Sequence, residues 1–131
     1  MASQLMDYNF ISKTILIVED EEVSRFFFEK ALKKTQANLF FVNDGLEAVN
    51  MIKQNTEIDT VLMDIRLPVM DGIEATYRIK EINPEMPIII QTAYGMSSTK
   101  EEAIRSGCDD FITKPIHIET LLSLLQRHLN Y

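Results

Sequence analysis

Short apolar runs alternate with amphipathic stretches along the whole of this chain. Ile15-Leu16-Ile17-Val18 is continuously apolar, which marks a strand buried on both faces. Glu22 to Lys34 has helical periodicity, with Val23, Phe26, Phe27 and Ala31 forming a broad apolar face that Phe28 borders. The Phe26-Phe27-Phe28 run reads as core packing, with Phe28 the member nearest solvent. Leu39-Phe40-Phe41-Val42 is a second strand, closed by the turn cluster Asn43-Asp44-Gly45. Leu46, Val49 and Ile52 are spaced by three, so a second helix runs from Leu46 to Lys53.

The alternation continues. Ile58 to Met63 is a third strand, and residues 67–72 form a loop rich in turn signals. Ile73 to Glu81 is a third helix, broken by Asn83-Pro84 and Pro87. Ile88-Ile89-Ile90 is a fourth strand. Ser97 to Ser106 is a weak fourth helix that Gly107 stops. Phe111-Ile112-Thr113 is a fifth strand, and Ile118 to Leu129 a last helix with Leu121, Leu122, Leu124 and Leu125 inward. Five strand–helix repeats predict a doubly wound α/β domain: a mostly parallel five-stranded sheet with right-handed crossovers and helices on both faces.

Composition narrows the function. The length of 131 residues suits one domain, assigned to residues 13–131, with residues 1–12 as a flexible arm or linker remnant. A net charge of −7 argues against unaided nucleic-acid binding and against attraction to an anionic membrane. The single cysteine, Cys108, excludes an intrachain disulfide and a cysteine metal cluster, and suits a reducing cytoplasm. It reads as a small buried residue, not a nucleophile. No apolar stretch reaches membrane-spanning length.

Ligands of open parallel sheets bind beyond the carboxyl ends of the strands. Glu19 and Asp20 follow the first strand, Asp64 the third, Thr92 the fourth and Lys114 the fifth. Each alone has a plain reading as a cap, a turn residue or a chain bend. Together they place converging carboxylates beside a lysine. The carboxylates repel unless a divalent cation joins them, and the lysine suits a visiting phosphoryl group. His117 and His128 have no ligand partners at metal spacing and read as surface residues.

The chain closely resembles the receiver domain of two-component response regulators. The resemblance rests on ILIVEDEE at 15–22, VLMDIRLPVMDG at 61–72, QTAYG at 91–95 and GCDDFITKPI at 107–116, and it extends from Lys13 to Leu129. It implies a flavodoxin-like (βα)5 fold; the strand order 2-1-3-4-5 comes with the resemblance, not from periodicity. It implies that Asp64 is the phosphoacceptor, taking a phosphoryl group from a histidine kinase or a phosphohistidine-bearing phosphotransfer protein. Mg²⁺ would be held by Asp20 and Asp64, by Glu19 directly or through water, and by the backbone carbonyl of Arg66. Thr92 and Lys114 would bind the new phosphoryl oxygens. Thr92 and Phe111 would form the switch, with Phe111 standing where the family often has tyrosine. Arg66 and Tyr94 would flank the phosphoryl group and slow its loss to water. Pro115 would follow a cis peptide bond. The domain would not be a turnover enzyme, although it assists its own phosphorylation and dephosphorylation.

Residues 107–116 with QTAYGM are similar to the C-terminal receivers of hybrid sensor histidine kinases. Receivers of this family often dimerise through the fourth helix, fifth strand and fifth helix, so that face is the expected homodimer surface. Two rivals remain at this point. A flavin carrier on the same fold is opposed by Glu19-Asp20-Glu21-Glu22, which would repel a cofactor phosphate. A phosphorylation-independent interaction module is opposed by the presence of both the acceptor and the lysine.

Overall fold

The computed structural model describes residues 8–54, 57–93 and 97–129. The elements run β1 (Thr14–Val18), α1 (Glu22–Leu32), a 3-10 turn (Lys33–Thr35), β2 (Asn38–Val42), α2 (Gly45–Gln54), β3 (Thr60–Asp64), α3 (Gly72–Ile82), β4 (Ile88–Thr92), α4 (Ser97–Arg105), β5 (Asp110–Thr113) and α5 (Ile118–Leu129). All four strand pairings are parallel, in the order β2-β1-β3-β4-β5. The strand and helix assignments from periodicity hold, with ends shifted by one or two residues. Asp64 and Thr92 are themselves the last residues of their strands.

Strand alternation divides the core. Leu16, Val18, Val61, Met63, Ile88 and Ile90 pack toward α2, α3 and α4. Ile15, Ile17, Leu62, Ile89 and Ile112 pack toward α1 and α5. β1, β3 and β4 are buried throughout, as their unbroken apolar runs require.

Four expectations are corrected. On α1 the buried side chains are Phe28 and Leu32, not Val23 and Phe26; Phe28 is 1% exposed and Phe26 59%. Three adjacent phenylalanines cannot share one helical face, and Phe28 with Leu32, four residues apart, is the pair that meets the sheet. Leu46 is exposed, and α2 instead buries Ala48 beside Val49 and Ile52. Phe10, placed in a loose arm, is fully buried among α1 and α5 side chains, and its N–H donates to Thr35 O at 2.7 Å. His128 is not a free surface residue. It is half-buried and its Nε2 lies 2.9 Å from Asp110 Oδ2, an oxygen Arg127 also reaches at 3.1 Å. Gly107 ends α4 with φ +96, as expected of a left-handed stop.

The β3–α3 loop is held tightly. Asp71 caps α3 by accepting from the N–H groups of Ile73 and Glu74, both at 2.9 Å. Gly72 N–H donates to Ile65 O at 2.9 Å, and Gly45 N–H to Met70 O at 3.0 Å. Between these anchors Met70 N–H donates to Pro68 O at 2.7 Å, closing a three-residue turn on Val69 at φ +68. A β-branched residue is strained there. Because Val69 is 77% exposed, it makes little packing that a smaller residue would lose. Val69→Gly is therefore expected to stabilise the protein by about 1 kcal/mol, relief of strain exceeding the glycine entropy cost. Urea unfolding would show a higher midpoint at unchanged slope.

Candidate phosphoryl-transfer site

The site forms where β1, β3, β4 and β5 end together. Val18 pairs with Met63 and Asp64 with Gln91, so one residue beyond Val18 the chain comes level with Asp64. Glu19 N–H donates to Val42 O at 3.1 Å, which carries the ladder that one step further. On β5, Thr113 pairs with Thr92, and Lys114 N–H donates to Thr92 O at 2.8 Å. The Lys114–Pro115 peptide is cis, as the sequence reading expected. By alternation Glu19, Asp64, Gln91 and Lys114 share the α1/α5 side of the sheet, whereas Thr92 and Phe111 continue the opposite side.

Carboxylate oxygens of Glu19, Asp20 and Asp64 lie within 4.8 Å of one another. Asp64 is buried, and its Oδ1 accepts from Ile65 N–H at 2.9 Å and from Lys114 Nζ at 3.2 Å. No side chain or N–H among the described residues donates to Oδ2, which remains open for chemistry. Asp20 is exposed at the mouth. A cleft of about 220 Å³ opens above them, bordered by Asp20, Asp64, Arg66, Gln91 and Lys114. Thr92 is buried at the end of β4. Phe111 is half-buried against the α2/α3/α4 core, with Lys100 Nζ 4.5 Å from its ring centroid. Tyr94 lies outside the described residues.

Glu19 is fully buried, and one oxygen accepts from Glu21 N–H at 3.2 Å while Oε1 has no partner among the described residues. Burial first, and then the neighbouring Asp64 charge, push its carboxyl up from 4.5 to about 7. The folded state thus keeps a proton that the unfolded state releases above about pH 4.5. In chelator this group's contribution to stability is full below pH 4.5 and falls as pH rises toward 7, by up to about 3 kcal/mol. Unfolding experiments in chelator between pH 5 and 8 should show that decline, and Glu19→Gln should flatten it.

The donor set fits a hard divalent cation. Oxygens alone are on offer, three carboxylates converge, and a buried carboxylate oxygen is left unsatisfied. A cation there would remove the repulsion that raises the Glu19 carboxyl. Cys108 plays no part: it is half-buried, and burial pushes its thiol up to about 11.

Sequence reasoning found Glu19, Asp20, Asp64, Thr92 and Lys114, and the structure brings them to one edge. It did not single out Gln91, which appeared only within the QTAYG motif. The signal was present: a long carboxamide directly after Ile88-Ile89-Ile90, one residue before Thr92, in a strand buried throughout.

An acid-and-lysine cleft at the carboxyl edge of a 2-1-3-4-5 parallel sheet places this chain in the doubly wound α/β class whose ligands bind at that edge. The family comparison agrees, with the response regulator receiver domain matching residues 15–126. The chain belongs to that family and is a receiver domain of the two-component type. It is 31% identical over 142 residues to Histidine kinase 3 of Arabidopsis thaliana, covering 92% of this chain and 14% of that protein. It is 37% identical over 120 residues to the autoinducer 1 sensor kinase/phosphatase LuxN of Vibrio harveyi, covering 91% of this chain and 14% of that one. The chain therefore spans only a small part of these relatives.

Among solved structures, the receiver domain of sensor histidine kinase PA1611 from Pseudomonas aeruginosa superposes with a TM-score of 0.85 at 33% identity, covering 92% of this chain and 99% of that one. That structure has a magnesium ion coordinated in its active-site cleft. The Ssk1 receiver of Saccharomyces cerevisiae, crystallised with the histidine phosphotransfer protein Ypd1, matches with a TM-score of 0.83 at 28% identity, covering 92% and 90%. No helix among the described residues is long and apolar enough to cross a membrane.

Proposed function

We propose that this domain accepts a phosphoryl group from a phosphohistidine-bearing protein onto Asp64, with Mg²⁺ held by Glu19, Asp20, Asp64 and the Arg66 carbonyl. The observation that carries this reading is the convergence of three carboxylates within 4.8 Å beside Lys114, 3.2 Å from Asp64. A carboxylate oxygen of Asp64 attacks phosphorus, the N–P bond to the donor histidine breaks, and an acyl phosphate forms. The histidine keeps the electron pair and takes up a proton. The magnesium ion, when bound, supplies charge neutralisation for the incoming phosphoryl oxygens.

The chain's own residues do the rest. Ile65 N–H and Lys114 hold Asp64 through Oδ1, leaving Oδ2 to react. Lys114 then pairs with the phosphoryl oxygens. Thr92 donates its hydroxyl to one of them, and the space it leaves admits Phe111. Ile90 pairs with Phe111, and Thr92 and Phe111 share the same side of the sheet, which supports that route. Turning the ring inward would break the Lys100 contact. Such a move is a bistable element biased by a new charge. Arg66, exposed at the rim, stands between the phosphoryl group and water.

Intact-mass spectrometry after incubation with acetyl phosphate tests this. A single phosphoryl adduct is expected with Mg²⁺ and none with excess chelator. An adduct of equal yield in chelator, or none in either, would contradict the reading.

A further inference from the structure

Gln91 is the outstanding oddity of the molecule. It is only 1% exposed, and both Oε1 and Nε2 lack a hydrogen-bond partner among the described residues. A buried carboxamide with neither end satisfied costs about 1–3 kcal/mol for each unpaired group. The strand position favours an apolar side chain, as in Ile88, Ile89 and Ile90 just before it. Something other than the stability of the fold accounts for an amide there.

Its location says what. Gln91 is the register partner of Asp64 on one side and of Ile112 on the other. It borders the same cleft as Asp64, Arg66 and Lys114. Glu19, Asp64 and Gln91 thus form a row across β1, β3 and β4, on one side of the sheet. The described residues hold one other buried side chain with an unpartnered polar atom, Glu19 through Oε1, in the same row. Among the described residues, the unsatisfied buried side-chain polarity therefore gathers in one row beside Asp64.

We propose that Gln91 is a positioning residue of the phosphoryl site, its carboxamide gaining partners only when the cleft is loaded. This rests on the reading of the cleft as a cation-dependent phosphoryl acceptor. A carboxamide has one acceptor and two donors. Mg²⁺ retains several waters whose protons need acceptors, and Oε1 supplies one. Phosphoryl oxygens need donors beyond Lys114, and Nε2 supplies one that carries no charge. Groups that orient a cation's water shell without touching the ion change its affinity by about 10-fold or more.

The test is Gln91→Met, which keeps volume and flexibility and removes both polar atoms. Three quantities are read on the natural chain and the variant: the melting temperature in chelator, Mg²⁺ affinity by calorimetry, and beryllofluoride binding in Mg²⁺ by fluorine NMR. Expected are an equal or higher melting temperature, because an unpartnered amide has been removed, and Mg²⁺ and beryllofluoride affinities each weaker by about 10-fold. A purely structural amide would not give opposite signs in stability and binding. Unchanged affinities would overturn the assignment, and so would a lower melting temperature, which would show that the amide already has a partner in the empty fold. Failure of the natural chain itself to bind Mg²⁺ or beryllofluoride would instead sink the phosphoryl reading of the cleft, and this role with it.

Discussion

Asp64→Asn should take no phosphoryl group from acetyl phosphate in Mg²⁺, and should nevertheless unfold at a higher temperature than the natural chain in chelator. The first result follows from the nucleophile. A carboxamide oxygen carries no charge and does not attack phosphorus, and among the described residues no other carboxylate forms an ion pair with Lys114. The second follows from the crowding of acids. Asp64 is one cause of the raised Glu19 carboxyl, after burial, so the two charges oppose each other in the folded state. Removing one relieves about 1 kcal/mol, discounted because Glu19 partly escapes the repulsion by keeping its proton. The asparagine oxygen can still accept from Ile65 N–H and Lys114, so little is lost in exchange. Intact-mass spectrometry and thermal melts read the two effects separately. A phosphorylated variant would remove Asp64 as acceptor, and a lower melting temperature would show that its pairing with Lys114 outweighs the repulsion.

Gly72→Ala is expected to cost at least about 3 kcal/mol and to abolish phosphoryl uptake in whatever protein still folds. A Cβ on Gly72 would lie 2.0 Å from Asp64 O, 2.9 Å from Asp64 C and 2.9 Å from Ile65 Cα. All three are backbone atoms and none can rotate aside. The conflict falls on the peptide that carries the acceptor, so the damage to stability and to chemistry has one cause. Gly45 has a similar conflict at one remove, since its Cβ would meet Met70 O at 2.2 Å. Urea unfolding of Gly72→Ala checks the first part. A loss below about 1 kcal/mol would mean that the loop has room to retreat.

The sequence was most legible where burial is complete. β1, β3 and β4 declare themselves through runs of Ile, Leu, Val and Met, and the strand-end acids follow from where the first two of those runs stop. It was least legible on α1, where Phe26, Phe27 and Phe28 look alike as letters. Which of them faces inward depends on the helix's rotation against the sheet, and Leu32 settles that only once the packing is known. Phe10 was missed because Tyr8, Phe10 and Ile11 make too short a stretch to show a periodicity. His128 was misread because its partner, Asp110, is on β5 and not on its own helix. Gly72 was visible as a turn residue, but the closeness of the Asp64 carbonyl is a fact of three dimensions. Gln91 carries no charge and lies beside Thr92, so its sequence position alone does not reveal that its amide is buried without a partner among the described residues.

The row of Glu19, Asp64 and Gln91 gives the site its dimensions. Neighbouring strands lie about 4.8 Å apart because that is the length a backbone hydrogen bond imposes. Side chains rising from the ends of successive strands inherit that pitch, so Glu19, Asp64 and Gln91 stand one strand apart. The sheet thus acts as a ruler cut to the scale of a small cation and one phosphoryl group. A change on the outer faces of the helices leaves the ruler untouched, so such a domain is free to acquire new surfaces while its chemistry stays in register.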